Sequence, residues 1–315
     1  MRAVVSATQL FERLRSVKVL DATWFLPNSP FAAPAALSCG REAFEAGPRI
    51  PGARFWDLDE HSDGSVAPET PHNLPDAAQF ARAAALCGLD GVGDSVVCYD
   101  ACGTFSSPRL WHTLRAYGFE DVAVLDGGLP AWLEAGFDVE AGPPPPPPPL
   151  EPPGGEDVKA YALAPGHQWV LADVRAWLDA DEATRPQLID ARPEGRFRGT
   201  APEPRPGARS GHAPGSTNAP FLDCLDAVPS RADGGPGGPL RGAVLKRGPA
   251  LAAALDARGV ARDEPCALTC GSGLTAAVVK LALHDLGHPA GPIYDGAWCE
   301  YEADGNLPVA LDDDA

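Results

Sequence analysis

The sequence lacks several features that would assign it to a common class of protein. No apolar run reaches the roughly 18 residues needed to cross a membrane, and residues 1–16 lack the continuous apolar core of a signal peptide. Basic residues are scarce: 25 Lys and Arg stand against 43 Asp and Glu, which gives a formal net charge of −18. This acidity argues against nucleic acid and anionic membranes as partners.

The cysteines also lack the spacing of a metal or redox motif. None of the eight forms a Cys-x-x-Cys pair, and none lies in a Cys and His cluster with the spacing of zinc ligands. We therefore expect reduced thiols, as in the cytoplasm, and no disulfide framework. The eight cysteines lie at positions 39, 87, 98, 102, 224, 266, 270 and 299.

Most of the chain consists of two copies of one sequence pattern. Each copy has an apolar run ending in Asp-Ala, a second apolar run ending in Asp or Cys, and an Asp-Gly turn followed by Trp. Matching positions lie 169 or 170 residues apart, and such regular offsets indicate an internal duplication. The paired positions are Asp21 and Asp190, Asp100 and Cys270, and Asp126 and Asp295.

Both copies alternate strand-like apolar runs with helix-like segments, the pattern of a parallel sheet flanked by helices. Between them, Gly142 is followed by prolines at 143–149, which favour an extended and semi-rigid spacer. A proline-rich binding ligand is the alternative interpretation of this run. We therefore predict an α/β protein with an N-terminal domain at 1–141, a linker at 142–156 and a C-terminal domain at 157–315.

The loop at 270–275 is the strongest candidate for a reactive site. It joins a predicted strand at 266–269 to a predicted helix at 275–286. Gly271 and Gly273 can adopt backbone angles closed to other residues and leave the N–H groups of the loop uncovered. Together with the positive end of the helix, these groups favour a thiolate at Cys270. A small, buried structural cysteine is the alternative.

These features together resemble the tandem-domain rhodanese family of sulfurtransferases. The sequence Cys-Gly-Ser-Gly-Leu-Thr-Ala at 270–276 is similar to the signature of the 3-mercaptopyruvate type, whereas thiosulfate rhodaneses usually carry Arg and Lys after the cysteine. The resemblance implies two rhodanese-like domains, of which the second is catalytic through a persulfide on Cys270. Since Asp100 cannot carry transferred sulfur, the first domain is expected to be catalytically silent.

The size of the loop favours sulfur over phosphate as its ligand. Residues 270–275 form a ring of N–H donors suited to a sulfane sulfur, and phosphatases of this fold need a longer loop. Each charge-assisted hydrogen bond contributes roughly 1.5–3 kcal/mol, so several of them would stabilise the persulfide. The residues expected to bind the reacting group are Gly271, Gly273, Leu274 and Thr275.

Recognition of 3-mercaptopyruvate needs cations, because this substrate presents a carboxylate beside a ketone. In the family, the Arg of a Gly-Arg-Phe step and the Arg of a Glu-Pro-Arg step bind these groups. The resemblance transfers those roles to Arg196 and Arg205. We expect the neighbouring Arg192 and Arg198 to be solvated surface charges.

The resemblance also implies a triad like that of serine proteases. Residues 55–60 and 71–75 are similar to segments that supply an Asp and a His in the 3-mercaptopyruvate enzymes, which places Asp59 and His72 beside Ser272. Asp59 would fix the tautomer of His72, and His72 would relay a proton through Ser272. Asp59 and His72 are 13 residues apart, more than is usual in the family, and His61 is an alternative to His72.

Other conspicuous residues near the motifs are expected to be structural. Cys266 and Cys299 could resolve a persulfide into a disulfide, but burial is the expected fate of both. Trp298 and Tyr301 follow the second Asp-Gly turn, and we expect them to pack within their own domain.

The sequence therefore predicts an enzyme that moves sulfur from 3-mercaptopyruvate through Cys270 to a thiol, thioredoxin or cyanide acceptor and releases pyruvate. No metal or organic cofactor is implied, and the expected partners are the small-molecule donor and the acceptor. A thiosulfate:cyanide sulfurtransferase and a non-catalytic sulfur carrier or interaction module stay open as alternatives. Arg196 and Arg205 separate these hypotheses, since a carrier needs no pair of arginines for a carboxylate.

Overall fold

The computed structural model describes residues 2–27, 29–34, 37–65, 70–144, 146, 161–227, 242–288 and 291–311. The contacts of the chain divide it into two compact units. The first unit is formed within Met1–Ser62, Pro75–Ala164 and Leu225–Leu245, and the second within Asp63–Leu74, Pro165–Cys224 and Lys246–Ala315. Most of the linker predicted at 142–156 lies outside the described residues, and the predicted domain limits stay a prediction.

The first unit contains a five-stranded parallel sheet. Its strands are β1 Val4–Val5, β2 Lys18–Asp21, β3 Arg54–Phe55, β4 Val96–Tyr99 and β5 Val122–Leu125. They follow the order β1-β5-β4-β2-β3, and every residue of β4 and β5 is buried. A parallel sheet is covered on both faces, which explains why these strands are continuous apolar runs rather than alternating ones.

The helices of the first unit lie between these strands in the chain. They are α1 Ala7–Arg13, α2 Gly40–Ala46, α3 Ala77–Leu86, α4 Ser107–Ala116 and α5 Gly128–Glu134. Capping boxes start two of them, formed by Ser6 with Gln9 at α1 and by Asp76 with Gln79 at α3. The starts of these helices are thus encoded locally in the sequence.

The second unit contains a second five-stranded parallel sheet. The remaining strands of the chain are β6 Gln168–Trp169, β7 Gln187–Asp190, β8 Thr217–Asn218, β9 Leu225–Asp226, β10 Val244–Leu245, β11 Cys266–Thr269 and β12 Ile293–Tyr294. The second sheet has the order β6-β12-β11-β7-β8, while β9 and β10 form an antiparallel pair in the first unit. The two sheets therefore repeat one strand arrangement.

The helices of the second unit lead into and out of its sheet. They are α6 Leu171–Asp179, α7 Glu194–Arg198, α8 Gly248–Asp256, α9 Ala276–Asp285 and α10 Ala297–Ala303, with a 3-10 helix at Phe221–Cys224. A core of Trp177, Tyr294, Trp298 and Tyr301 packs beside the sheet. The expectation that Trp298 and Tyr301 pack within their own half of the chain is confirmed.

The predicted α/β architecture of two parallel sheets flanked by helices is confirmed. The strand predicted at 266–269 is β11, and the helix predicted at 275–286 is α9, which is one residue shorter at each end. Among the described residues, no helix combines the length and apolar character needed to span a bilayer. The carboxyl ends of β7, β8, β11 and β12 meet at one edge of the second sheet, where ligands bind in folds of this kind.

Candidate active site

Cys270 lies at the carboxyl edge of the second sheet, in the turn between β11 and α9. β11 ends at Thr269 and α9 begins at Ala276, so a short loop leads directly into the helix. Cys270 is buried, and Ser272 is half-buried. Gly273 has a φ of +79°, a left-handed conformation that favours glycine. The predicted strand, turn and helix around Cys270 are all present.

The first turn of α10 fixes the backbone of this loop. The N–H of Trp298 donates to the carbonyl of Cys270 at 2.8 Å, and the N–H of Cys299 donates to the carbonyl of Gly271 at 3.2 Å. These N–H groups belong to the start of a helix, where no intrahelical acceptor is available. The bonds also occupy two carbonyl oxygens whose partial negative charge would oppose an anion at Cys270.

The matching loop of the first unit holds an anionic side chain of its own. The Asp100 carboxylate is fully buried and accepts backbone N–H groups from Cys102, Phe105, Ser106 and Ser107 at 2.8–3.1 Å, as well as the Ser107 hydroxyl at 2.6 Å. Burial raises the pKa of Asp100, and these hydrogen bonds act in the opposite direction. The loop that follows this sheet position is thus able to surround a buried anion with N–H donors.

Arg196 packs directly on the Cys270 loop. A side chain at Gly271 would come within 2.9 Å of Nη2 of Arg196, so the guanidinium lies against the backbone that follows Cys270. Oε2 of Glu203 accepts a hydrogen bond from Nε of Arg196 at 3.0 Å and another from Nη2. Nη1 of Arg196 makes no hydrogen bond to any described residue, and the side chain is 18% exposed. Arg196 therefore presents an available N–H edge beside the loop.

Arg192 is not the solvated surface charge that the sequence predicts. Its side chain is 1% exposed, and it pairs with Asp190 at 2.6 Å and with Glu203 at 2.9 Å. Its Cζ lies 4.1 Å from the centre of the Trp298 ring. The prediction was wrong because the two carboxylates come from the end of β7 and from the segment after α7, and they meet only in the folded chain. Glu203 thereby links a buried ion pair to Arg196.

The other two arginines of this segment differ in position. Arg205 is half-buried, and its charge acts on the thiol of Cys299, which places it near the loop. Burial raises the pKa of that thiol to about 11, and the charge of Arg205 lowers it. Arg198 is 51% exposed and pairs with Glu194 at 3.0 Å, so its predicted place on the surface is confirmed. Arg196 and Arg205 are thus two partly accessible cations close to the Cys270 loop.

His72 lies beside the hydroxyl of Ser272, within the second unit. Nδ1 of His72 and Oγ of Ser272 are 3.0 Å apart. His72 is buried and has a φ of +66°, a conformation that is uncommon for residues other than glycine and is concentrated at functional sites. The structure thus joins a hydroxyl and an imidazole that are 200 residues apart in the sequence.

Hydrogen bonds between backbone and side-chain groups hold the segment that carries His72. The N–H of Leu74 donates to Oδ2 of Asp295 at 2.7 Å, and Nδ2 of Asn73 donates to the carbonyl of Thr70 at 3.1 Å. Asp295 belongs to the second Asp-Gly turn, directly before α10. Through its bond to Leu74, this turn therefore helps to position His72.

Asp59 lies in the first unit, where its exposed carboxylate accepts a hydrogen bond from Nε1 of Trp24 at 3.1 Å. The pairing of Asp59 with His72 stays a prediction. The alternative histidine, His61, packs edge-on against the Trp56 ring in the same unit as Asp59, with 5.3 Å between ring centres. Of the two candidate histidines, His72 is the one that contacts Ser272.

Leu274 and Thr275 are the remaining residues of the loop. Leu274 is buried, while Thr275 is half-buried and immediately precedes α9. In the part of the chain that the structure describes, no three His, Cys, Asp or Glu side chains are grouped so that they could hold a metal ion.

Glu203 is the main residue that the sequence analysis missed, although its place between two arginines thought to bind an anion was an available signal.

Comparison with known proteins places the chain in a recognised family. Residues 37–135 match the rhodanese-like domain family. The chain is 36% identical to 3-mercaptopyruvate sulfurtransferase of Homo sapiens over 312 residues, which cover 95% of this chain and 92% of the human protein. It is 35% identical to thiosulfate/3-mercaptopyruvate sulfurtransferase 1, mitochondrial, of Arabidopsis thaliana over 324 residues, covering 97% of this chain and 77% of that protein.

A solved structure supports the same assignment. The fold matches the crystal structure of SseA from Escherichia coli, a 3-mercaptopyruvate sulfotransferase with the rhodanese fold, with a TM-score of 0.72 and 31% sequence identity. The match covers 95% of this chain and 99% of the SseA chain. The similarity therefore extends over both halves of the duplicated sequence.

Proposed function

Since the chain belongs to the rhodanese family of sulfurtransferases, we propose that it transfers the sulfur of 3-mercaptopyruvate through Cys270 to a thiol acceptor and releases pyruvate. The observation that carries this proposal is the position of Arg196, whose guanidinium lies against Gly271 with one N–H edge available. If the carboxylate of 3-mercaptopyruvate binds there, its sulfur atom, three bonds from the carboxylate carbon, comes close to the Cys270 thiol. The names of the human and Escherichia coli proteins support the choice of donor.

Cys270 acts as the nucleophile in the proposed reaction. Its thiolate attacks the sulfur of 3-mercaptopyruvate, a bond forms between the two sulfur atoms, and the bond between sulfur and carbon breaks. The carbon atom keeps the electron pair, so pyruvate leaves as its enolate and then takes up a proton. Cys270 is left as a persulfide, and the N–H groups of its loop would stabilise the charge on the outer sulfur, as the loop of Asp100 does for a carboxylate.

Arg196 and Arg205 are proposed to bind the carboxylate and the carbonyl oxygen of the substrate. A guanidinium matches a planar carboxylate through parallel N–H donors, and its charge also stabilises the enolate that forms as the sulfur leaves. Glu203 holds Arg196 by Nε and Nη2, which fixes the direction of the remaining edge. The backbone at Gly271, Gly273, Leu274 and Thr275 is proposed to surround the sulfur atoms.

Ser272 and His72 are proposed to move the proton. Their contact of 3.0 Å allows the imidazole to accept a proton from the hydroxyl while the hydroxyl exchanges a proton with the substrate thiol or enolate. Asp59 is proposed to orient the imidazole, as the carboxylate does in a serine protease triad. No step in this scheme calls for a metal or an organic cofactor.

The first domain, proposed at residues 1–141, carries no sulfur in this scheme and contributes only Asp59 and His72 to the proton path. Asp100 fills its loop with a carboxylate, which has no sulfur to transfer and already accepts the N–H groups of Cys102, Phe105 and Ser107. The segment 142–156 is proposed to connect the two domains. The acceptor is proposed to be a small thiol or a thioredoxin-like protein, with cyanide as a laboratory substitute.

A second candidate function is a thiosulfate:cyanide sulfurtransferase, because the Arabidopsis thaliana relative carries both donors in its name. The uncharged residues after Cys270 disfavour it, since thiosulfate is a dianion. The proposed setting is a reducing compartment such as the cytoplasm, because all eight cysteines are free thiols in the structure.

Donor preference tests this proposal. Pyruvate release from 3-mercaptopyruvate and thiocyanate formation from thiosulfate with cyanide would be measured in the wild type and in Arg205→Gln. We expect a preference for 3-mercaptopyruvate that Arg205→Gln reduces, because one of the two cations for the carboxylate is lost. A preference for thiosulfate would support the second candidate, and inactivity with both donors would support the non-catalytic carrier.

A further inference from the structure

A second thiol lies next to the Cys270 loop and has no part in the reaction above. Cys299 is in the first turn of α10, is half-buried, and donates its backbone N–H to the carbonyl of Gly271 at 3.2 Å. The preceding N–H, of Trp298, bonds to the carbonyl of Cys270 at 2.8 Å. The backbones that carry the two cysteines are therefore direct neighbours.

This spacing suits a disulfide. Adjacent backbone segments joined by hydrogen bonds lie about 5 Å apart. Bridged cysteines have α-carbons roughly 4.4–6.8 Å apart, a range that neighbouring backbone segments joined by hydrogen bonds can reach. No other cysteine has a backbone N–H bonded to the loop among the described residues.

The thiol of Cys299 lies within electrostatic range of the groups of the site. The charges that act on its thiol are those of Arg205, Cys270, Glu203 and Arg196, which are the residues around the proposed substrate. Burial raises its pKa to about 11, so at neutral pH it is a protonated thiol, whereas a thiolate is the attacking species. Cys299 therefore reacts slowly, after the persulfide has formed rather than in competition with the substrate.

We propose that Cys299 is a resolving cysteine that displaces sulfide from the Cys270 persulfide. The Cys299 sulfur attacks the inner sulfur of Cys270, a disulfide forms between the two residues, the bond from Cys270 to the outer sulfur breaks, and that sulfur leaves as hydrosulfide. Together the two cysteine sulfurs lose two electrons, and the outer sulfane sulfur gains these two electrons. The step therefore needs no external oxidant, and it rests on the proposed function, which supplies the persulfide.

The disulfide would make sulfide release dependent on a dithiol. Once Cys270 is bridged it cannot attack a further substrate, and turnover resumes only when a dithiol reductant, such as a thioredoxin-like protein, opens the bridge. In the absence of any acceptor the enzyme would release one sulfide and stop. This arrest separates the proposed step from simple attack of an external thiol on the persulfide.

A single-turnover experiment on the reduced full-length protein tests this step. The wild type, Cys299→Ser and Cys266→Ser would each receive one equivalent of 3-mercaptopyruvate without acceptor or oxygen, and pyruvate, sulfide and intact mass would be followed. Cys266 is the matched control, because it is a buried cysteine in β11 whose pKa is also raised by burial.

All three proteins should release pyruvate at the same rate. The wild type and Cys266→Ser should then lose the added sulfur as sulfide and become two hydrogen atoms lighter than the reduced chain, with Cys270 and Cys299 in one cross-linked peptide. Cys299→Ser should stay one sulfur atom heavier, with a persulfide lifetime about ten-fold longer or more. Raising the pH toward the pKa of Cys299 should speed only the proteins that keep this thiol.

Equal persulfide lifetimes in wild type and Cys299→Ser would overturn the proposal, and so would a persulfide found on Cys299 instead of a disulfide. If no protein releases pyruvate, the proposed function has failed, and loading Cys270 with inorganic polysulfide still decides the resolving step. In that arm, a cross-linked peptide in wild type supports the step, and a lasting persulfide contradicts it.

Discussion

Glu203 holds the guanidinium of Arg196 through Nε at 3.0 Å and also through Nη2, while its other oxygen binds Arg192 at 2.9 Å. One buried carboxylate thus serves two arginines, of which one is fully buried and one faces the Cys270 loop. A buried carboxylate is stable only when it is paired, and here the pairing also fixes a cation beside the nucleophile. The position of Arg196 is therefore set by Glu203.

Glu203→Gln should weaken substrate binding more than chemistry. Removing the charge loses charge-assisted hydrogen bonds to Arg196, each worth about 1.5–3 kcal/mol, so KM for 3-mercaptopyruvate should rise about ten-fold or more. The rate at which a preformed persulfide passes to the acceptor should not change, because the donor has already left. Steady-state kinetics and a separate acceptor half-reaction measure the two effects.

The matched control is Glu194→Gln, which removes an exposed carboxylate that pairs with Arg198 and Arg258. This variant should keep the KM of the wild type. A role for Glu203 in stability alone would lower the amount of active protein and leave KM unchanged, which contradicts the positioning role.

Ser272→Ala should slow pyruvate release by about 10²-fold or more, because the proton path through the hydroxyl is lost. His72→Gln should have a similar effect, and the double variant should be no slower than the slower single one, since the two residues act as a unit. Rapid mixing with a pyruvate assay gives the rate. His61→Gln is the control, and an activity loss in this variant that matched His72→Gln would contradict the assignment of His72.

Arg192→Ala should destabilise the protein by about 3–5 kcal/mol, because it leaves the buried carboxylates of Asp190 and Glu203 without their shared cation. Arg198→Ala removes an exposed ion pair and should change the free energy of unfolding by no more than about 1 kcal/mol. Urea unfolding followed by tryptophan fluorescence measures both. Equal stability of the two variants would show that the buried network contributes little.

Asp21 should make the first unit less stable as the pH rises from about 4 to 6. Burial raises the pKa of Asp21 from 3.8 to about 6, so over this window the folded state binds more protons than the unfolded state. Ionisation therefore costs the folded state about 3 kcal/mol by pH 7. Asp21→Asn lacks this titration, and its free energy of unfolding relative to wild type should rise by most of that amount between pH 4 and 7. A constant difference across the window would contradict the burial effect.

The sequence was sufficient for the elements that depend on local patterns. The apolar run at Cys266–Thr269 and the glycines after Cys270 defined a strand and a turn that the structure contains. The sequence was insufficient for Arg192 and Glu203, because a charged residue in a polar segment looks solvated until its partners from other elements are known. It also could not show that residues 70–74 have their contacts in the second unit, since this depends on the bond between Leu74 and Asp295.

The most direct test of the central claim is to mix the reduced protein with one equivalent of 3-mercaptopyruvate and quench it at early times. Pyruvate and the mass of the peptide that contains Cys270 would be measured in wild type and Cys270→Ser. We predict one pyruvate per chain and one added sulfur atom on the Cys270 peptide in wild type, with neither in Cys270→Ser. Pyruvate release by Cys270→Ser, or sulfur carried first by a different residue, would contradict the account.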